Sequence, residues 1–319
     1  MQRTLTLGAL VLVGAVTITA AGMQGPPAAA GAPGQGRGGD GRGRGPQGPP
    51  VAEIVKLKDN LYMLTGGGGN TAAFITEAGV VLVDTKLANW GQAILDKVKT
   101  VTNKPVTTII NTHTHGDHTG SNEFFGATVE IVAHENTKAN MEKMDAFKGD
   151  KSVFLPKKTY KDKLSLGKGK EAIDLYYFGP AHTSGDSFVV FKDLRVMHAG
   201  DAFAGKGTPL IDSNNGGSGL EYGKTLAKAA AVKDIDWVIT GHSTLMTPGD
   251  LREVSDFNND FAAWGQAQMK AGKTVEAAAA EYVLPDRYKA RGFTIGNPLG
   301  AVGGVRGNLQ TIYNELGKK

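Results

Sequence analysis

Three histidines and an aspartate stand close together in the run Asn111-Thr112-His113-Thr114-His115-Gly116-Asp117-His118-Thr119-Gly120. The whole chain has only seven histidines, so this density is itself a signal. Neutral imidazoles and carboxylates are the donors that borderline divalent metals such as zinc prefer. In an extended segment residues two apart point the same way, so His113 and His115 can face one ion. Gly116 permits a sharp bend, after which Asp117 and His118 can turn toward a second ion. An ion takes about three or four protein ligands, so this run completes neither site by itself.

The remaining donors must come from downstream, and three positions share the right setting. His182 lies in the turn after an apolar strand at 173–178. Asp201 follows the strand 195–198, and His242 follows the strand 237–240. Chains that alternate strands and helices carry their functional loops at strand ends. His113, His115 and His182 then make one three-histidine site with a position left for water. Asp117, His118 and His242 make the other, and Asp201 can bridge both with its two oxygens. Two cations about 3.5–4 Å apart share a hydroxide whose pKa is lowered toward neutrality, a nucleophile usable near pH 7. Asp117 is also placed to accept a hydrogen bond from that nucleophile and aim it. The cofactor reading is two Zn2+, and the same donors admit iron or manganese.

Stepping outward, the run follows an apolar stretch, Val106 to Ile110, that reads as a buried strand. Upstream, 54–58 and 61–65 form a hairpin around Asp59-Asn60, and 71–76 and 80–84 form two further strands. The glycines of 66–70 read as a mobile turn at the mouth of a site, since no P-loop Lys-Ser/Thr follows them. Asp84 ends a short apolar strand, where an unbonded carboxylate would be costly. It either orients a ligand histidine from behind or caps the next helix, and both roles are compatible. That helix is expected over 87–101, with Trp90, Ile94, Leu95, Val98 and Val101 on one stripe. A short helix is expected near 121–125 and a strand at 129–133. His134 reads as a surface or capping histidine, and the lysine-rich 142–170 as edge hairpins and loops. Strands are also expected at 188–191, and helices at 251–270, 274–283 and near 309–316. Pro285, Gly292 and Pro298 break that last region, while Phe257, Trp264 and Met269 read as core residues.

At this point the chain resembles the metallo-β-lactamase superfamily. The resemblance rests on His113-Thr114-His115-Gly116-Asp117-His118, then His182, Asp201 and His242, with Asp84 closing the Val-Leu-Val-Asp-Thr strand. These five ordered motifs span most of residues 51–250 and are far more specific together than the first alone. The resemblance implies an α/β fold, the αββα four-layer sandwich, with a dinuclear site at one edge of two facing sheets. It implies a zinc-dependent hydrolase acting on a small-molecule carbonyl substrate. The best-studied zinc β-lactamases carry a cysteine where this chain has Asp201, and a lysine shortly after it for the substrate carboxylate; Lys206 stands two places late. Asp201 is similar to the bridging carboxylate of the thioesterase and lactonase branches. The cysteine- and arginine-bearing stretch of the glutathione-thioester hydrolases is replaced by Gly207-Thr208-Pro209-Leu210-Ile211-Asp212. The Gly179–Asp186 stretch is close to a lactamase-like type, so the expected substrate is a cyclic amide or ester.

Composition bounds the rest. The 319 residues suffice for a sizeable core. After Met1-Gln2-Arg3, residues 5–21 are apolar and rich in small side chains, a Sec-type signal pattern assigned to 1–22. Residues 23–50 are Gly/Pro/Arg-rich and cannot bury enough apolar area to offset chain entropy, which predicts a disordered linker. The domain then spans 51–250, with 251–319 as a helical extension packed on it. The chain has no cysteine, which excludes disulfides and a lipid-modified N-terminal cysteine. The expected location is periplasmic or secreted, without a stable membrane anchor once the signal is cleaved. Residues 1–50 hold Arg3, Arg37, Arg42 and Arg44 against Asp40, a net of +3 out of the chain's +4. The remainder is near neutral, so no nucleic-acid partner is expected.

Rival chemistries leave different marks. Sulfur-oxidising members of the same superfamily are similar in the first motif but use one iron. A binding module with structural metal would need a closed ligand set. A serine hydrolase is unsupported, since Gly216-Gly217-Ser218-Gly219-Leu220 only approximates Gly-x-Ser-x-Gly.

Overall fold

The computed structural model describes residues 50–295 and 303–317. The signal segment, nearly all of the linker and Pro298 lie outside the described residues. A seven-stranded sheet runs in the order β1 (Glu53–Lys58), β2 (Leu61–Thr65), β3 (Thr71–Ile75), β4 (Val80–Val83), β5 (Val106–Ile110), β6 (Glu130–His134), β7 (Lys158–Tyr160). A five-stranded sheet faces it in the order β12 (Trp237–Ile239), β11 (Val196–His198), β10 (Phe188–Phe191), β9 (Ile173–Tyr176), β8 (Lys163–Leu166).

Period-two alternation splits each strand between two cores. In β4, Val81 and Val83 face the second sheet, where they join Val189, Phe191 and Ile239. Val80 and Leu82 point the other way, onto Ile94 and Val98 of α1 (Gly91–Lys99). In β10, Val189 and Phe191 face inward, while Phe188 and Val190 pack against Tyr222, Leu226 and Phe257. Those three belong to α4 (Tyr222–Ala230) and α5 (Pro248–Lys270). The result is the αββα sandwich expected from the sequence. A capping box between Thr247 and Asp250, with Pro248 at the first turn, starts α5 three residues before the expected Leu251. The α6 (Val275–Glu281) and α8 (Gly304–Gly317) helices close a further apolar cluster on α5, and α7 (Asp286–Lys289) follows α6. Among the described residues no helix is long and apolar enough to cross a membrane.

The parallel pairs β4–β5, β5–β6 and β11–β12 set the position of the site. Parallel neighbours need crossovers, so the loops after their C-terminal ends gather along one edge. Asp84 follows β4, the histidine run follows β5, Asp201 follows β11, and His242 follows β12. The short helices α2 (Gly116–Thr119) and α3 (Glu135–Met141) start at this same edge.

Several local expectations are corrected. The first helix begins at Gly91 rather than residue 87, because Lys86 and Asn89 adopt left-handed backbone angles of +63° and +70°. Its N-cap is Trp90, so Asp84 caps nothing there. The short helix after the histidine run is a 3-10 turn, Asn122–Phe125. His134 does cap α3, accepting from the Asn136 amide, but it is buried rather than on the surface. The lysine-rich segment supplies the edge strand of each sheet: β7 pairs with β6, while β8 forms an antiparallel hairpin with β9, so β7 and β8 belong to opposite sheets. Phe257 is fully buried, while Trp264 packs only partly buried on the α5–α6–α8 cluster.

Candidate metal centre

The structure brings all seven proposed ligands to one point. One group comprises His113, His115, His182 and Asp201, the other Asp117, His118, Asp201 and His242. Within each, one donor atom per residue lies within 4.8 Å of all the others. His182 Nε2 is 2.9 Å from His115 Nδ1 and 3.7 Å from Asp201 Oδ2. In the second group His118 Nε2 is 3.1 Å from Asp201 Oδ1, and His242 Nε2 is 3.1 Å from Asp117 Oδ2 and 3.2 Å from Asp201 Oδ2. Ligands around a tetrahedral ion with bonds of about 2 Å stand roughly 3.3 Å apart, so these spacings fit one cation per group.

Two orphaned atoms support the same reading. His113 Nε2 and Asp201 Oδ1 are buried without a hydrogen-bond partner, a costly state unless something else satisfies them. Both belong to the cluster.

The ring nitrogens that face away from the cluster are held by neighbours, and this sets which nitrogen points in. His118 Nδ1 donates to Asp84 Oδ2 at 2.7 Å, leaving Nε2 as the free lone pair. Thr112 Oγ1 also donates to Asp84 Oδ2, at 2.7 Å, and so accepts from His113 Nδ1 at 3.0 Å. A single carboxylate therefore orients one histidine of each group. Asp84 does this from a left-handed backbone at φ +64°, a conformation non-glycine residues adopt at a cost of roughly 1–2 kcal/mol. The amide of Thr112 on Asp84 Oδ1 at 2.8 Å helps to hold it there. His182 Nδ1 donates to the Leu210 carbonyl at 2.7 Å, leaving Nε2 inward.

Asp212 was not among the site residues read from the sequence. Its Oδ2 lies 2.7 Å from His115 Nε2, which leaves Nδ1 of that ring facing the cluster. Its own amide donates to the His182 carbonyl at 2.9 Å. The segment 210–212 thus grips two histidines of the first group. The only available signal was a carboxylate two residues beyond a proline-leucine pair, which is no motif. Asp186, equally unremarked, accepts from the Thr183 amide and hydroxyl at 2.9 and 2.7 Å and ties down the His182 turn.

Electrostatics follow from burial and crowding. Burial and the adjoining rings hold the His113 pKa well below the usual imidazole value, and burial takes His182 down to about 4. Burial also pulls His118 down, but the carboxylates of Asp201, Asp117 and Asp84 win and place it well above that value. Asp201 raises His242 to about 9. For Asp212, burial pushes the carboxyl up, while hydrogen bonds from His115 and Asn215 outweigh it and hold it below the ordinary range. His113 and His182 are thus held as neutral imidazoles ready to ligate, and His118 and His242 are drawn to surplus carboxylate charge.

Close backbone approach completes the site. A Cβ on Gly69 would overlap the His118 ring, and one on Gly241 would overlap the Asp201 carboxylate. The glycine run is therefore packed against the histidine loop, with the Gly69 amide on the Asp117 carbonyl at 3.0 Å, and it does not border the cleft. Asn70 extends the link, its side chain donating to the Thr240 and Ser243 carbonyls at 2.9 and 2.8 Å on either side of His242. Lys86 is fully buried and donates to the Leu64 and Gly69 carbonyls at 2.9 and 2.8 Å. Lys206 pairs with Asp250 at 2.5 Å and Glu253 at 3.0 Å, which removes it as a substrate anchor.

A cleft of about 500 Å³ opens beside His115 and Asp117.

Comparison with known proteins agrees with the fold. The sequence profile described as "Metallo-beta-lactamase superfamily" matches residues 64–242. A type 2 metallo-beta-lactamase of Elizabethkingia meningoseptica is 28% identical over 47% of this chain and 62% of its own length. The alpha subunit of a 2,4-dinitroanisole O-demethylase from a Nocardioides strain is 24% identical over 65% of this chain and 61% of its own length. The chain thus spans about three-fifths of both curated relatives. The crystal structure of the DIM-1 metallo-beta-lactamase superposes with a TM-score of 0.57 at 17% identity, over 66% of this chain and 98% of that one.

Proposed function

The chain belongs to the metallo-beta-lactamase superfamily, and on that premise we propose that it is a dinuclear metal-dependent hydrolase of a small cyclic amide or ester. The observation that carries this reading is the convergence of seven ligand side chains, two with orphaned buried atoms, beside an open cleft. His113, His115 and His182 would hold one divalent cation; Asp117, His118 and His242 would hold the second, and Asp201 would join both. Zinc suits this nitrogen-rich set best. Bound cations supply Lewis acidity and lower the pKa of water toward neutrality.

The chain's own residues do the rest. Asp117 borders the cleft, and it accepts the hydrogen bond of the attacking water and aims it at the carbonyl. Asp84, through Thr112 and directly, keeps the lone pairs of His113 and His118 turned inward, and Asp212 does so for His115. The apolar segment 5–21 by itself supports export through a cleaved signal, which fractionation of the producing cells would test.

The test is a substrate panel of nitrocefin, acyl-homoserine lactones and thioesters on metal-quantified protein. Two zincs per chain and turnover abolished by chelation are expected. One iron per chain, oxygen consumption and no hydrolysis would replace the proposal with an oxidoreductase. Inactivity on the entire panel at full metal content would leave a metal-binding module.

A further inference from the structure

Resting on the hydrolase reading, we propose that the cleft selects uncharged acyl substrates bearing an alkyl or aryl group, and discriminates against substrates whose acyl group carries a carboxylate. The wall away from the metal ligands is apolar, built from Met144, Ala146, Phe147 and Phe154, with Leu87 completing it from the chain after β4. Thr114 Oγ1 donates to the Met144 sulfur at 3.3 Å, which ties this wall to the histidine loop. A site of this kind recognises its ligand by apolar burial with a few polar groups to orient it.

Charge argues the same way. Three carboxylates border the cleft, those of Asp117, Glu123 and Asp212. Lys151 is the lone Lys or Arg on the described lining, and its Nζ lies 2.9 Å from Glu123 Oε2. Lys206, the other candidate to meet a substrate acid, does not border the cleft and is held by two carboxylates of its own. Nor does a loaded metal centre supply surplus positive charge. The four positive charges of two divalent cations would be matched by Asp84, Asp117, Asp201 and Asp212, which leaves Glu123, paired with Lys151, as the remaining carboxylate on the described lining. A carboxylate on the substrate would lose its hydration and meet no unpaired Lys or Arg on the described lining, whereas an ester, lactone or amide with a hydrocarbon tail loses nothing comparable.

The experiment compares one scissile bond with and without the charge. Rates are measured for 4-nitrophenyl hexanoate and mono-4-nitrophenyl adipate on the zinc-loaded full-length chain. Binding of the unreactive hexananilide and adipic acid monoanilide is measured by calorimetry on the same protein. A tenfold or greater preference for the neutral member in kcat/KM, carried mainly by KM, and in Kd is expected. Glu123→Gln, which frees Lys151 from its partner, should shift the adipate-to-hexanoate ratio of kcat/KM severalfold toward the adipate. Equal or better handling of the acid by the wild type overturns the proposal, as does a Glu123→Gln variant with an unaltered ratio. If neither ester is turned over, linear esters are excluded from the hydrolase reading, which the substrate panel tests separately, while the calorimetric pair still decides the charge preference.

Discussion

Asp212 Oδ2 stands 2.7 Å from Nε2 of His115, and the other oxygen of that carboxylate caps the 3-10 turn Ser213–Asn215 through the amides of Asn214 and Asn215. Ring orientation and loop conformation are thus coupled in one side chain, although 97 residues separate it from the histidine. Replacing Asp212 by Ala should cost about 10- to 100-fold in metal affinity at the first group, the usual size of such outer contacts. Titration of the stripped protein with Co2+, followed by its visible spectrum, reads this directly. Unchanged affinity would mean that His115 needs no partner.

Asp84→Asn tests the shared orienter. Asparagine tolerates a left-handed backbone, so φ +64° is retained, but the amide nitrogen cannot accept from both Thr112 and His118. One histidine in each group loses its fixed tautomer. Metal content should fall at both positions, measured by elemental analysis after dialysis, while circular dichroism stays close to the wild type.

Gly69→Ala probes close packing rather than chemistry. The added Cβ falls on the His118 ring, so either the ring or the Gly66–Asn70 loop must move. Overpacking of this kind costs typically ~1–3 kcal/mol. A lowered urea midpoint, together with selective loss of the second metal, is expected. An unperturbed variant would show that the loop gives way freely.

Lys86 yields a pH dependence. Burial lowers its pKa from 10.5 to about 7, against the attraction of Asp84. Between those values the unfolded chain carries a proton that the folded chain lacks, so stability rises with pH across that window. Below about pH 7 both states hold the proton and Lys86 adds no slope. Urea unfolding of metal-free wild type and Lys86→Met at about pH 7 and about pH 10 should show the wild type gaining on the variant, by on the order of a few kcal/mol. Parallel pH profiles would contradict the burial of an ionisable amine.

The strands after which the ligands fall were legible because apolar runs bounded by turn residues mark buried strands directly: β5 spans the Val106–Ile110 read from the sequence, and β12 covers Trp237–Ile239 of the expected 237–240. Boundaries failed where burial of a polar residue decided them. Nothing local announces that Lys86 turns inward in a left-handed conformation, yet that turn delays α1 to Gly91. Lys206 illustrates the reverse error, since a lysine near the site in sequence points at the carboxylates of α5.

From the amino-acid order alone came the donor types, their grouping around 113–118 and the strand-end setting of His182, Asp201 and His242, because ligand chemistry and period-two patterning are local properties. Only the tertiary structure decided which nitrogen of each ring faces the cluster, that Asp212 and Asp84 do the aiming, and that the cleft wall is apolar with its one lysine neutralised. Those outcomes depend on atoms brought together across tens of residues by sheet pairing and crossover, and a linear pattern carries no record of such distances.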